Sequence, residues 1–338
     1  MTTIRPEDRA KGALYGAAIG DALAMPVHWY YNRGALLRDY GTVDEFLRPK
    51  NPHPDSILWR SRYVPPNQEA DILHDQAKWW GQREIHYHQF LEAGENTLTW
   101  KLANEVIASL NARGGQDSAD YLARYICYLT TPGQHRDTYL EECHRGFFAN
   151  YAKGIPPNRC AIKEKHIGGL AGLVPVVAWY RNDRELAVTK AKDQVATTHA
   201  GEAMAEAAAL IADLLWQTLN GRPLAEAIAE VQSRQANRYA RHPFGKWSLK
   251  PDESIIGPKL SSACYLEDSV PAVIFLALKY HDCPREGLIA NTMLGGDNVH
   301  RGILLGALLG AEKGMSAWPK SWSSGLKQPP NDSLLSSD

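Results

Sequence analysis

Two aspartates at matching helix ends are the first candidates for chemistry. A segment with Gly12, Gly16 and Gly20 runs straight into Asp21 (GDALAMP), and one with Gly302, Gly306 and Gly310 is preceded by Asp297 (LGGDNVH). Glycines at every fourth residue share one helix face, where a missing side chain lets a second backbone approach. Each costs about 1 kcal/mol against alanine inside a helix, so three per helix point to the two helices packing on each other. If they pack antiparallel, Asp21 comes near Asp297. Two readings stay open: a close helix contact with two capping aspartates, or a polar pocket in which Asp297 and backbone N–H groups face a ligand phosphate or ribose. A third segment, HYHQFLEAGENTLTWKLANEVIASL, places His86, His88, Glu95, Asn96, Thr97 and Thr99 just before an amphipathic helix. Asn96 or Thr97 suits its N-cap. His86 and His88, two apart, fit a ligand pair on extended backbone, although such a pair is more often surface or hydrogen-bonded histidine.

The elements that must position these residues read as helices. Asp117 or Ser118 caps a helix to about Thr130, stopped by Pro132-Gly133, and Asp137 opens another to Ala152. Asp183 starts one ending near Thr198, and Glu202–Leu219 is strongly helical by propensity. Pro223 opens a helix to about Tyr239, Ser269 caps VPAVIFLALKY, and Arg285–Met293 and Val299–Lys313 complete the series. Alternating β-branched runs are nearly absent, so the expectation is an all-α, single compact multi-helix domain over residues 1–315. Residues 316–338 lack periodicity and read as an irregular tail on the surface. The Pro-, Asn- and Asp-rich stretch from Tyr40 to Asp71 reads as a long ordered loop.

Composition narrows the partners. With 37 basic and 38 acidic side chains the net charge is −1, too little field for nucleic acid or an anionic membrane. No run approaches the roughly 18 apolar residues of a membrane span, and the start has no basic region followed by an unbroken apolar centre. Five widely spaced cysteines without a CxxC fit idle thiols in a reducing compartment. A cytoplasmic protein with a small-molecule partner is expected.

Taken together, GALYGAAIGDALAMPVHW, GENTLTW and LGGDNVHRGILLGALLGAEKG, with ATTHAGEAMAEAAALIADLL and EDSVPAVIFLAL, resemble the ADP-ribosylglycohydrolase family. The resemblance covers Gly12 to about Gly314, lies closest to the branch with J-type lens crystallins and selenoprotein J, and implies an all-α domain around a cleft. It also implies roles. Typical members carry Gly-x-x-Thr-Asp-Asp-Thr, whose Thr and two Asp hold a pair of magnesium ions; here Thr97 stays but Leu98 and Thr99 replace the aspartates. The closing Gly-Gly-Asp-x-Asp-Thr becomes Gly295-Gly296-Asp297-Asn298-Val299-His300, and His28 stands where an acidic residue is usual. His199 falls in the family's Thr-His segment beside the cleft.

Charge decides what those departures mean. Two Mg²⁺ bring +4 and want hard oxygen ligands; Asp297 is the one carboxylate left at a matching position, with Glu95 the nearest replacement. The expectation is that the dinuclear centre is absent and that no cofactor is held. A small ligand, ADP-ribose-like or other, then sits among Asp21, His28, Asn96, Thr97, Thr99, His199, Gly295, Gly296 and His300. If the chain is active, Glu95 or Asp297 activates water for attack at an anomeric carbon. If any metal binds, His28, Asp297 and His300 suit a single Zn²⁺. The remaining reading is a structural, crystallin-like role without ligand.

Overall fold

The first and last long helices form the spine. In the computed structural model, which describes residues 4–234 and 236–335, Pro6–Ala24 and Asn298–Lys313 lie antiparallel, with Gly12 against Gly310, Gly16 against Gly306 and Gly20 against Gly302. At each of these positions a Cβ would overlap the partner's carbonyl, which is the packing reason the glycine spacing called for. Both helices are buried almost all round, as expected at the centre of a large all-α domain.

Around this pair pack Leu173–Trp179, Glu202–Leu219, Leu266–Tyr280 and Pro284–Met293, closing one large apolar cluster. A second cluster gathers Leu98–Arg113, Ser118–Thr130 and Glu142–Tyr151 with Trp29 and Tyr87. Among the described residues the strand content is one two-residue parallel pair, Ile162 on His199 and Lys163 on Ala200. No helix among the described residues is long and apolar enough to cross a membrane. All five cysteines are free thiols.

Several boundaries differ from expectation for local reasons. Asp117 and Asp183 cap their helices, each accepting from first-turn amides. Asp137 does not open a helix: its carboxylate turns inward to a histidine, and the helix starts later, at Glu142. The helix after Pro223 stops at Ser233, short of Tyr239. Ser269 is not a cap, since that helix begins at Leu266, with Pro271 inside it. The C-terminal segment is not a surface drape. It forms a short helix, Lys320–Gly325, and buries Trp318, Trp322, Leu326 and Leu334 in the main core. The indole of Trp318 donates to Gly12 O at 2.9 Å. Such anchoring by isolated aromatics leaves no period to read.

The glycine contact gives a direct test. In Gly306→Ala the added methyl would meet only backbone, Gly16 and Ala17, so urea unfolding should show a loss of about 3 kcal/mol or more. Gly245→Ala, with nothing within 4 Å of the new methyl, should stay within about 0.5 kcal/mol of the parent.

Candidate functional site

The turn after the first glycine helix delivers His28. Met25–Val27 is a single 3₁₀ turn fixed by two neighbouring imidazoles, with His86 Nε2 3.0 Å from Pro26 O and His53 Nε2 2.9 Å from His28 O. His53 comes from the long loop, which gives that loop a structural task at the site. Trp29 then takes a positive φ of 60°, a costly conformation for a bulky side chain. Two backbone bonds hold it there: Trp29 N donates to Gly296 O and Gly296 N to Tyr30 O, at 2.8 and 2.7 Å. Gly295 and Gly296, at φ +65° and +61°, therefore clamp the His28 turn.

His28 stands in a line of buried acids and bases. Asp137 Oδ1 to His88 Nδ1 is 2.7 Å, His88 Nε2 to His28 Nδ1 2.8 Å, and His28 Nε2 to Asp297 Oδ1 2.9 Å. Asp297 Oδ1 also faces His300 Nδ1 at 2.6 Å, and His300 Nε2 reaches Thr99 Oγ1 at 3.0 Å. The same nitrogen is 3.2 Å from Glu141 Oε1, whose other neighbour is His166 Nδ1 at 3.4 Å.

Burial, outweighing Asp297, pushes His28 down to about 3, a neutral ring between His88 and Asp297. Burial works against His300 as well, but the Asp297 and Glu141 charges overcome it and raise His300 to about 9. Burial alone would raise Asp297 and Glu141. The His300 charge and hydrogen bonds hold Asp297 well below the usual carboxylate range, and His166 and His300 bring Glu141 to about 2. At neutral pH the site is an ordered alternation of anions and imidazolium.

A cleft opens onto this line. Its outer chamber, about 260 Å³, is walled by Trp29, Tyr87 and Tyr139. Two inner hollows, about 20 and 40 Å³, reach His28, Asp137 and His300 on one side and His144 and His199 on the other. Glu141 lines all three.

The residues singled out in the sequence divide into groups. His28, Asp297, His300 and Thr99 come together in the buried line. His199 lies in the second hollow, its Nδ1 2.9 Å from Thr198 Oγ1. Asp21, Asn96 and Thr97 form a cluster of their own. Asp21 Oδ1 accepts from Asn96 Nδ2 and Thr97 N, and its Oδ2 from Thr97 Oγ1, at 2.9, 2.8 and 2.6 Å. That carboxylate anchors the start of the Leu98–Arg113 helix and does not touch Asp297. Glu95, expected to activate water, is instead held by Lys101 at 2.8 Å and Arg136 at 2.6 Å and lines none of the three hollows. Asp137, Glu141, His144 and His166 were missed because they lie in loops or at an element start, where no periodicity marks an inward side chain.

For a metal, His28, Asp297 and His300 can each offer one ligand atom, all within 4.8 Å of one another. Their present geometry is that of hydrogen bonds, with one carboxylate oxygen taken by both imidazoles.

Comparison with known proteins gives one strong result. The model of the ADP-ribosylglycohydrolase family matches residues 2–336. Among solved structures, an "ADP-ribosylglycohydrolase-related protein complex" superposes with a TM-score of 0.66 at 23% identity, covering 98% of this chain and 96% of that one. No curated protein matches the chain.

The buried histidines set the pH range of stability. Burial keeps His53, His144 and His199 at about 4, 4 and 3 when folded, below the ordinary 6.5. Their stabilisation is present above pH 6.5 and lost as pH falls, by roughly 4 kcal/mol per pH unit for the three together. His300 has the opposite sign: its contribution, about 3 kcal/mol, is complete below pH 6.5 and gone above 9. Urea midpoints measured from pH 4.5 to 10 should peak near neutrality with the steeper side in acid; a flat profile would contradict these protonation states.

Proposed function

The chain belongs to the ADP-ribosylglycohydrolase family, and from that premise we propose that it is a metal-independent member that binds a small organic ligand in the Trp29–Tyr139 cleft, with imidazolium charge standing where the family has magnesium. The observation that carries this is the double use of Asp297 Oδ1, which faces His28 and His300 at 2.9 and 2.6 Å. The carboxylate already has a cationic partner in His300, and its second contact is a neutral imidazole, His28.

The donor set supports the reading. Two magnesium ions require several oxygen ligands in octahedral geometry. Leu98 and Val299 offer none, the Asp21 oxygens are taken by Asn96 and Thr97, and the nearest groups to Asp297 are nitrogens. These residues do not fit the dinuclear centre. A crystallin-like role fits less well, because buried charges cost stability and a merely structural protein has no need of so many at one cleft.

A second reading, hydrolysis of a glycosidic bond without metal, is favoured by Glu141. It is ionised and lines all three hollows. Such a carboxylate can activate a water as general base. It takes over the role expected of Glu95.

Metal analysis of the purified protein should find magnesium and zinc far below one per chain. EDTA, Mg²⁺ and Zn²⁺ should each leave the melting temperature within about 1 °C, since a ligand that binds the native state at a hundred times its Kd adds about 2.7 kcal/mol. A zinc-dependent rise that disappears in His300→Ala would instead establish a single-metal site. For the hydrolytic reading, Glu141→Gln should keep ligand binding and abolish turnover of an ADP-ribosyl conjugate; unchanged turnover would remove Glu141 from the chemistry.

A further inference from the structure

Histidines apart, the ionisable carboxylate, lysine and arginine side chains that line the cleft are all acidic. Glu142 and Glu164 stand in the outer chamber together with Glu141. No lysine or arginine among the described residues lines this chamber or either inner hollow. The fixed cation deeper in, His300, already faces Asp297 through Nδ1 and Thr99 and Glu141 through Nε2. A diphosphate entering here would meet carboxylates and no unengaged cation.

The walls have the complementary chemistry. Trp29, Tyr87 and Tyr139 are fixed nearly at right angles, with ring planes 79°, 87° and 77° apart and centroids 4.6, 5.1 and 5.4 Å apart. Tyr31 and Tyr265, about half exposed, flank the mouth. Aromatic faces attract cations, the more so when water is excluded.

A separate observation points to N–H groups on the ligand. Asp137 is fully buried and lines the inner hollow, and its Oδ2 has no hydrogen-bond partner. A buried acceptor left without a donor is costly, and this one lies inward of the aromatic walls.

We propose that the cleft takes a small organic cation with N–H donors, an alkylammonium whose carbon skeleton lies against Trp29 and Tyr139 and whose ammonium faces Glu141 and Asp137. This rests on the cleft being a ligand site and narrows the small organic ligand to a cation.

Ligand-observed NMR on the full chain at pH 7 and constant ionic strength tests it with two probes of one shape, 2-phenylethylammonium and neutral 2-phenylethanol, and with ADP-ribose. The ammonium should bind at least tenfold more tightly than the alcohol. Glu142→Gln with Glu164→Gln, substitutions of accessible side chains that leave the buried line intact, should weaken the ammonium about three- to tenfold and leave the alcohol unchanged. Equal binding of ammonium and alcohol would overturn the charge selection. Binding of ADP-ribose that displaces both would overturn the cation while keeping the cleft as a ligand site. If none of the three binds, the ligand reading itself falls, and this inference with it.

Discussion

The contact on which everything else rests is backbone against backbone, where the Pro6–Ala24 helix meets the Asn298–Lys313 helix through six glycines. With no side chains between them, the antiparallel register of the two axes is fixed tightly. The C-terminal end of one helix and the N-terminal end of the other then emerge at the same level. His28 leaves the first by a single 3₁₀ turn, and Asp297 and His300 sit at the start of the second, which is why residues at opposite ends of the chain share one carboxylate oxygen. A side chain inserted into the spine would separate these atoms before it disturbed anything else.

On the function proposed above, the site built at that level replaces one solution to a charge problem by another. A cleft lined by carboxylates must be neutralised, and dications do so with few atoms and strict oxygen geometry. Imidazolium does it with one charge per ring, a directional bond at each nitrogen, and no dependence on metal supply. The cost appears in the number of rings needed. His53 and His86 carry no charge to the cleft and serve to brace the turn bearing His28. Members of such a network constrain one another's tautomers, so exchanging any ring for another polar group would reorganise its neighbours too.

Much of this was legible in the residues. Glycine spacing gave the spine and its direction, and the family likeness placed His28, Asp297 and His300 together. Helix propensity and capping placed Glu202–Leu219 and the helices opened by Asp117 and Asp183. Other parts could not be read because their signals lie outside any period. Asp137 has the type and position of an N-cap, yet its carboxylate is drawn inward by His88. Glu95 has the type and position of a general base, yet Lys101, six residues on, and Arg136, from a distant loop, hold it. Glu141 lies immediately before a helix and shows no pattern at all. In each case at least one deciding partner is remote in sequence, so local propensity does not decide the outcome.

The indole of Trp318 donates to the carbonyl of Gly12 across 306 residues of chain. During synthesis the Pro6–Ala24 helix is therefore made long before its partners, with a groove of bare glycine backbone that has nothing to fill it until Asn298–Trp318 has left the ribosome. Closing so long a loop is slow relative to local helix formation. The order of events follows from the architecture: peripheral helices can form and collapse early, and the acid–base line is assembled last, by the same step that seals the core. Replacing Trp318 by alanine would remove the wedge that seats the first helix, and the cleft would suffer although no residue of it had been changed.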